Sequence, residues 1–228
     1  MSASWILTGA SVTGPGHLRE RMPNQDAYLN RRMRGGFIAV VCDGMGSRPF
    51  SGFGAKCACR VSRNILASAN FSIDSRSLIT TIRDGWLNAL GDIDPNDAAT
   101  TCLICWGNSI GEVRYFQLGD GRIIAPEMEY SERVSFTNET TGLGVSHTLD
   151  AWTEGAVTLA RGQGIVMMTD GISEDLEEGS EQAMLKSLLR LAKYQGPRRA
   201  KKSIVRELND WPTPSHLDDK TISIIVRR

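Results

Sequence analysis

Four short acidic segments lie along the chain, each beside an apolar, strand-like run or a glycine turn. They are Asn24-Gln25-Asp26, Asp43-Gly44-Met45-Gly46, Thr169-Asp170-Gly171 and Asp218-Asp219-Lys220-Thr221. The run before the second segment, residues 37–42, is wholly apolar, which is typical of a central strand buried on both faces. Carboxylates gathered at strand ends repel each other unless a cation lies between them. A fold that brings these segments together is therefore expected to hold hard divalent cations.

Apolar periodicity separates the chain into groups of strands and groups of helices. We expect strands over residues 5–10, 37–42, 101–106, 113–118, 122–125, 164–169 and 221–226, and helices over 52–69, 75–90, 180–194 and 198–211. Because strands and helices cluster apart instead of alternating, we predict an α+β protein with antiparallel sheets covered by helices.

Local signals refine this prediction at three places. Residues 107–111 carry glycines at both ends and predict a hairpin between two strands. Ser75 is expected to be the N-cap of the second helix. In the first helix, an apolar stripe is expected to face the core. It is formed at spacing four by Phe53, Cys57, Val61, Ile65 and Ala69 and widened by Ala58 and Leu66.

Composition predicts one domain over residues 1–228. The chain has 228 residues, of which 41% are hydrophobic and 23% charged, as in ordinary globular proteins. Lys plus Arg and Asp plus Glu both number 26, so bulk charge favours binding to neither nucleic acid nor an acidic membrane. The N-terminus does not resemble a signal peptide, and no apolar run has the length of a membrane span. We expect a cytoplasmic protein.

The five cysteines favour ordinary core positions. Cys102 and Cys105 have the spacing of a redox or zinc pair, but alternation along a strand would point their side chains to opposite faces. No second pair lies at zinc-like spacing, so we interpret them as core residues.

Oxygen-rich acidic segments suit Mg²⁺ and Mn²⁺, which prefer oxygen ligands in octahedral geometry. The chain has only three His, which fits poorly with a zinc hydrolase. Two such ions about 3.5–4 Å apart can share a bridging water and lower its pKa for attack on phosphorus. An arginine beside them can hold phosphate oxygens in a bidentate manner. These features indicate phosphate ester chemistry.

Six motifs in order resemble the metal-dependent protein phosphatases, the protein phosphatase 2C family, and in particular its compact bacterial members. They are Arg21-Met22-Pro23-Asn24-Gln25-Asp26, Val41-Cys42-Asp43-Gly44-Met45-Gly46, Ala99-Thr100-Thr101, Leu118-Gly119-Asp120-Gly121-Arg122, Met168-Thr169-Asp170-Gly171 and Asp218-Asp219-Lys220-Thr221. The resemblance runs from Arg21 to Thr221. It implies a central β-sandwich of two antiparallel sheets flanked by helices, in four αββα layers.

The resemblance also implies the metal ligands. Asp43 would bridge two Mn²⁺ or Mg²⁺ ions, with the carbonyl of Gly44 as a further ligand. Asp170 and Asp218 would ligate one ion directly. Asp26 would hold waters of the other ion, assisted by Gln25.

Two further positions take roles from the resemblance. Arg21, five residues before Asp26, would bind the substrate phosphate. Asp120 would help to form a third, weaker metal site.

The resemblance also places a flap beside the active site within residues 127–147, with residues 141–144 at its end.

Two departures from the family pattern leave questions open. Met45 stands where several eukaryotic relatives carry a His thought to protonate the leaving group, so the proton must come from elsewhere. Asp219 replaces a common Asn, which leaves Asp218 and Asp219 as alternative ligands. We favour Asp218 because it lies three residues before Thr221.

The expected activity is that of a serine/threonine protein phosphatase in signalling, which hydrolyses phosphoserine and phosphothreonine by attack of a metal-bridging water. The chain lacks the Cys-(five residues)-Arg loop of cysteine phosphatases. The alternatives are a catalytically weak regulatory or interaction module on the same fold and a small-molecule phosphomonoesterase. Expected partners are a phosphorylated protein substrate and an opposing protein kinase, and we expect a monomer.

Two features remain outside these motifs. His17, near Arg21, could donate a proton, although a surface-loop His is the simpler interpretation. The basic run Arg198-Arg199-Ala200-Lys201-Lys202 could dock an acidic partner, although a solvated helix face is the simpler interpretation given the zero net charge.

Overall fold

The computed structural model describes residues 5–46, 48–126, 128, 141–145, 148–212 and 217–228. Within them, the strands are β1 (Trp5–Val12), β2 (Ala27–Met33), β3 (Gly36–Cys42), β4 (Cys102–Gly107), β5 (Glu112–Leu118), β6 (Arg122–Ile124), β7 (Thr153–Thr158), β8 (Gly164–Met168) and β9 (Lys220–Arg227). They form two antiparallel sheets. One has the order β1-β9-β8-β6 and the other the order β2-β3-β4-β5-β7.

The helices are α1 (Pro15–Glu20), α2 (Ser51–Ser68), α3 (Ser75–Leu90), α4 (Asp170–Ser173) and α5 (Glu181–Asn209), and two short 3₁₀ turns lie at Pro95–Ala98 and Leu149–Ala151. α5 is kinked at Gly196, whose φ of +71° is not helical, and Pro197 follows. Pro restricts the residue before it away from the helical region, and this explains why the sequence predicts two helices here.

Three apolar clusters fill the spaces between the layers of this fold. The alternate residues Ile38, Val40 and Cys42 of β3 pack with α2 and α3, whereas Phe37, Ala39 and Val41 pack between the two sheets. Residues of β8 and β9 pack on the other side against α5. The result is the predicted αββα sandwich, with its α+β class confirmed. β3 is buried along its whole length because both of its faces are covered.

The cysteines occupy core positions, as predicted. All five are free and buried. Cys102 belongs to the cluster beneath α2 and α3, and Cys105 belongs to the cluster between the sheets. Their side chains therefore point to opposite faces of β4.

One local prediction about the helices is wrong, and another is correct only in part. The N-cap of α3 is Asp74, whose carboxylate accepts a hydrogen bond from the N–H of Ser77 at 2.9 Å, and Ser75 is the first helical residue. In α2, Cys57, Ala58 and Leu66 are buried as predicted, whereas Phe53 is exposed and the core face includes Ala55 and Cys59 instead.

The pattern also misses β2 and β7, two edge strands. β2 is only half-buried and contains Asn30, Arg31 and Arg32, and β7 is mostly exposed, so neither shows apolar alternation. No helix among the described residues is both long and apolar enough to cross a membrane.

Candidate active site

The ends of four strands converge where the two sheets meet. Asp26 directly precedes β2 and Asp43 directly follows β3, and the pairing of Ala27 with Cys42 makes the two carboxyl-bearing residues neighbours. In the other sheet, Asp170 follows the end of β8 and Asp218 precedes β9. The structure therefore brings the four predicted acidic segments together, two from each sheet.

A hydrogen bond joins the two sheets within this group. The hydroxyl of Thr169 donates to one carboxylate oxygen of Asp26 at 3.0 Å. The same hydroxyl accepts the N–H of Thr221 at 3.0 Å, and the N–H of Thr169 donates to the carbonyl of Thr221 at 3.0 Å. These contacts fix Asp26 of one sheet against the ends of β8 and β9 in the other.

Two threonines hold the backbone of Asp43. The backbone N–H of Asp43 donates to the hydroxyl of Thr101 at 2.9 Å. The backbone carbonyl of Asp43 accepts the N–H of Thr101 at 2.8 Å and the hydroxyl of Thr100 at 2.7 Å. With both backbone groups bonded, Asp43 is held in a fixed position at the end of β3.

The carboxylates influence each other electrostatically. Burial raises the pKa of Asp43 well above its usual value, and the charges of Asp26 and Asp170 raise it further. Burial also raises the pKa of Asp26, with added repulsion from Asp219 and Asp218 that the hydrogen bond from Thr221 partly offsets. The pKa of Asp218 is raised chiefly by burial, and Asp170 adds to it. A cation at this point would stabilise the ionised forms.

Two buried oxygens at the centre have no hydrogen-bond partner in the structure. They are Oδ2 of Asp43, a residue only 8% exposed, and Oε1 of Gln25. An unsatisfied buried polar atom costs about 1–3 kcal/mol, so it needs a physical explanation. Carboxylate and amide oxygens are ligands that Mg²⁺ and Mn²⁺ prefer. The residues present therefore fit the divalent cations that the sequence predicts.

The structure bears on the choice between Asp218 and Asp219. Asp219 is 1% exposed, and protein donors occupy both of its oxygens: the N–H of Gly14 at 2.7 Å, the N–H of Gln25 at 2.6 Å and Nδ1 of His17 at 2.9 Å. His17, Asp218 and Asp219 each place a ligand atom within 4.8 Å of the others. Because Asp219 and His17 already bond to each other, this geometry favours Asp218 as the ligand.

The pairing of His17 also corrects the sequence interpretation. His17 lies in α1 with a side chain 13% exposed, so it is not a surface-loop residue. Sequence reasoning missed its contact with Asp219, which joins positions 202 residues apart.

Close backbone approach explains two glycines at the site. A Cβ at Gly44 would lie 2.7 Å from the carbonyl oxygen of Gln25, and a Cβ at Gly171 would lie 2.1 Å from the carbonyl oxygen of Asp219. Both glycines therefore allow the acidic segments to pack against each other, which any side chain would prevent.

Arg21 ends α1 in the left-handed conformation, with φ of 58°, which is uncommon for a residue with a side chain. Its side chain is exposed on the segment that leads into Asn24-Gln25-Asp26.

Asp120 is exposed in the turn between β5 and β6, and its charge is not among the main causes of the raised pKa values of the buried carboxylates. The structure thus brings together the carboxylates of Asp26, Asp43, Asp170 and Asp218.

The predicted flap is anchored at its C-terminal end. Leu143 and Thr100 exchange backbone hydrogen bonds of 2.8 and 3.1 Å, and Gly142 packs closely against Met45. The rest of the predicted flap, apart from residues 128 and 141–145, lies outside the described residues, as does residue 47.

Lys220 is a site residue that sequence reasoning did not single out. It is 2% exposed, and its Nζ donates to the carbonyl of Asp218 at 3.1 Å. Burial lowers the pKa of this ammonium, and the carboxylates of Asp175 and Asp218 oppose that shift. Its burial could have been inferred from the sequence, because Lys220 directly precedes the apolar alternation of β9. A residue at that position shares a strand face with Ile222.

Comparison with known proteins supports the fold. The chain matches the family model described as Protein phosphatase 2C over residues 13–209. No curated protein matches it. Among solved structures, it is similar to the phosphatase domain and regulatory fragment of the cell fate determinant SpoIIE from Bacillus subtilis, with 18% identity and a TM-score of 0.66. That alignment covers 99% of this chain but 64% of the SpoIIE chain, which is less than two thirds.

Two other structures align over nearly their full length. PppA, a key regulatory component of T6SS in Pseudomonas aeruginosa, shows 18% identity and a TM-score of 0.69, with 100% of each chain covered. RsbX, solved in complex with magnesium, shows 17% identity and a TM-score of 0.64, with 98% of this chain and 96% of RsbX covered. At these identities the likeness shows the fold, and the family model matches most of the sequence. The chain belongs to the protein phosphatase 2C family.

Proposed function

We propose that this chain is a serine/threonine protein phosphatase that depends on Mn²⁺ or Mg²⁺. Membership of the family already supports a metal-dependent phosphatase in general. The observation that carries the proposal is the convergence of four carboxylates around the unpartnered Oδ2 of Asp43. We further propose a single-domain, cytoplasmic monomer that opposes a protein kinase in signalling.

The proposed metal ligands combine this convergence with the roles that the family resemblance implies. Asp43, the carbonyl of Gly44, Asp170 and Asp218 would hold the ions directly, and Asp26 would act through water with help from Gln25. Asp120 is proposed for a third, weaker site. When bound, the ions supply an activated water and neutralise charge on the phosphate. RsbX, of the same fold, was solved with magnesium.

Side chains of the protein position the phosphate and the metal-binding carboxylates. Arg21 is proposed to bind the phosphate oxygens, because a guanidinium can bond two of them at once. Thr101 and Thr169 keep Asp43 and Asp26 in place before the substrate arrives, so little reorganisation is needed. Met45 has no proton to donate, so protonation of the leaving alcohol must come from another group.

Exposure supports a protein substrate with a short phosphorylated side chain. Asp170 and Asp218 are half-buried and Arg21 is exposed, so the metal-binding residues lie near the surface. A phosphoserine or phosphothreonine side chain on a protein surface could reach such a site. PppA and SpoIIE are described as a regulatory component and a cell fate determinant, which favours a signalling role here as well.

A substrate panel tests the proposal. Initial rates would be measured on peptides of one sequence carrying phosphoserine, phosphothreonine or phosphotyrosine, and on glucose 6-phosphate, each with Mn²⁺, Mg²⁺ or EDTA. We expect turnover of the first two peptides that EDTA abolishes. Preference for glucose 6-phosphate would instead support a small-molecule phosphomonoesterase. Lack of turnover of every substrate by folded, metal-loaded protein would support the regulatory module.

A further inference from the structure

α5 concentrates positive charge in a chain whose net charge is zero. Its sequence, Glu181–Asn209, contains eight Lys or Arg and two Glu. One of those acids, Glu181, is buried and accepts a hydrogen bond from Arg122 at 2.5 Å. The exposed side of the first half of α5 therefore carries cations without compensating carboxylates from the helix itself.

Three of these cations form one stripe. Lys186, Arg190 and Lys193 follow spacings of four and three, which places them on one side of the helix, and all three are exposed. No carboxylate of the described residues lies within ion-pair distance of any of them. Unpaired cations side by side repel each other modestly, so an anionic partner would be favoured there.

The stripe borders a concave surface with a volume of about 510 Å³, which we call the α5 groove. It is lined by Gly162, Lys186, Leu189, Arg190, Lys193 and Tyr194. Leu189 is largely buried, whereas Tyr194 is 81% exposed with the guanidinium of Arg190 5.7 Å from its ring centre. Exposed Tyr and Arg together are typical of protein interfaces.

Helix electrostatics do not account for all three cations. Cations in the last turn stabilise a helix through its dipole, and Lys193 lies close to the kink at Gly196. Lys186 and Arg190 lie more than one turn before the kink, where that effect has faded.

We propose that the α5 groove docks an acidic segment of a protein partner, with an apolar side chain beside Tyr194. Gly162 precedes β8 and Asp170 follows it, so the length of that strand, about 13 Å between its first and last Cα atoms, separates the groove from the active site. One phosphorylated residue therefore cannot occupy the groove and the active site together. The zero net charge disfavours a membrane or nucleic acid, which would contact a wider surface. The inference goes beyond the proposed phosphatase activity and does not depend on it.

Fluorescence anisotropy with an unphosphorylated probe tests the proposal. The probe is a fluorescein-labelled peptide of Glu and Asp with one central Phe, and a second peptide has Gly in place of Phe. The test variant is Lys186→Glu/Arg190→Glu/Lys193→Glu. The matched control is Arg32→Glu/Arg34→Glu/Lys56→Glu, which makes the same charge change at exposed positions elsewhere.

We expect the wild type to bind the Phe peptide with an affinity that falls as salt rises, because exposed ion pairs are screened. The test variant should bind at least about tenfold more weakly, as expected for the loss of several ion pairs. The control should bind like the wild type. Tyr194→Ala should weaken binding of the Phe peptide and leave binding of the Gly peptide unchanged.

Activity on para-nitrophenyl phosphate and the melting temperature should match the wild type in every variant, because the substituted side chains are exposed and none belongs to the proposed active site. Three results would overturn the proposal: no binding by the wild type, equal binding by the test variant, or an equal loss in the control. Binding of phosphatidylserine vesicles or RNA without binding of the peptide would also overturn it.

Discussion

One carboxylate oxygen of Asp219 lies 2.9 Å from Nδ1 of His17 and 2.6 Å from the backbone nitrogen of Gln25. Its other oxygen accepts the N–H of Gly14 at 2.7 Å. Asp219 thereby ties α1 and the segment before β2 to the start of β9. The adjacent residue, Asp218, remains half-buried with its carboxylate exposed to the charges of the site.

Asp219→Ala should destabilise the protein. The substitution leaves the buried N–H groups of Gly14 and Gln25 without acceptors, and each such loss costs about 1–3 kcal/mol. We expect the free energy of unfolding in urea to fall by at least about 2 kcal/mol. Asp92→Ala, at an exposed position, is the control and should behave like the wild type. A stability equal to that of the control would show that Asp219 does not hold these segments together.

Conservative substitutions should separate the roles of Asp218 and Asp219. Asp218→Asn should weaken Mn²⁺ binding at least about tenfold, because a ligand charge is lost, while the metal-free protein stays at least as stable as the wild type because a repelled charge is removed. Asp219→Asn retains an acceptor oxygen and should leave Mn²⁺ affinity near the wild-type value. Calorimetric titration of both variants checks this. The opposite order of effects would assign the ligand to Asp219.

Thr169→Val should loosen the junction between the sheets. The hydroxyl donates to Asp26 and accepts the N–H of Thr221, both in buried positions. Losing these bonds should lower the free energy of unfolding by about 2 kcal/mol. Thr169→Ser retains the hydroxyl, so chemical denaturation should show a clearly smaller loss. Equal losses in the Val and Ser variants would mean that the hydroxyl contributes nothing.

Metal-free protein should lose stability as pH rises above the ordinary Asp value. The folded-state pKa values of Asp26 and Asp43 are raised above 3.8, so the folded protein binds more protons than the unfolded chain between 3.8 and those raised values. Their contribution to stability is fully present below 3.8 and is lost as pH rises through the raised values.

Urea denaturation with EDTA at a series of pH values measures this effect. The same series for Asp43→Asn, which cannot ionise at that position, should show a smaller dependence on pH. Saturating Mn²⁺ should reverse the trend in the wild type, because the ions bind ionised carboxylates. A metal-free profile that is the same in wild type and variant would contradict the raised pKa of Asp43.

The sequence predicts the acidic cluster because strand periodicity and Asp-Gly turns are local signals. The apolar run 37–42 and the turn at Asp43 both follow from neighbouring residues, and the structure has them as expected. The bond between His17 and Asp219 is different, since its partners are distant in the chain and a lone His carries no local pattern. Burial of Lys220 likewise depends on how α5 and the segment around Asp175 pack over β9.

Sequence periodicity also fails to predict the edge strands. β2 and β7 are held by pairing with β3 and β5, which a periodic pattern does not reveal. Their side chains are largely exposed, so polar residues are tolerated and alternation disappears. The interior of the fold is therefore better predicted than its edges, and the acidic residues better than the groups that hold them.

Mn²⁺ binding and phosphatase turnover by the wild type and Asp43→Asn test the central claim most directly. Calorimetry would measure binding, and hydrolysis of a phosphothreonine peptide would measure turnover, with circular dichroism to establish folding. The account predicts that the wild type binds Mn²⁺ and is active, whereas folded Asp43→Asn loses both properties. Binding and turnover in Asp43→Asn equal to those of the wild type would contradict it.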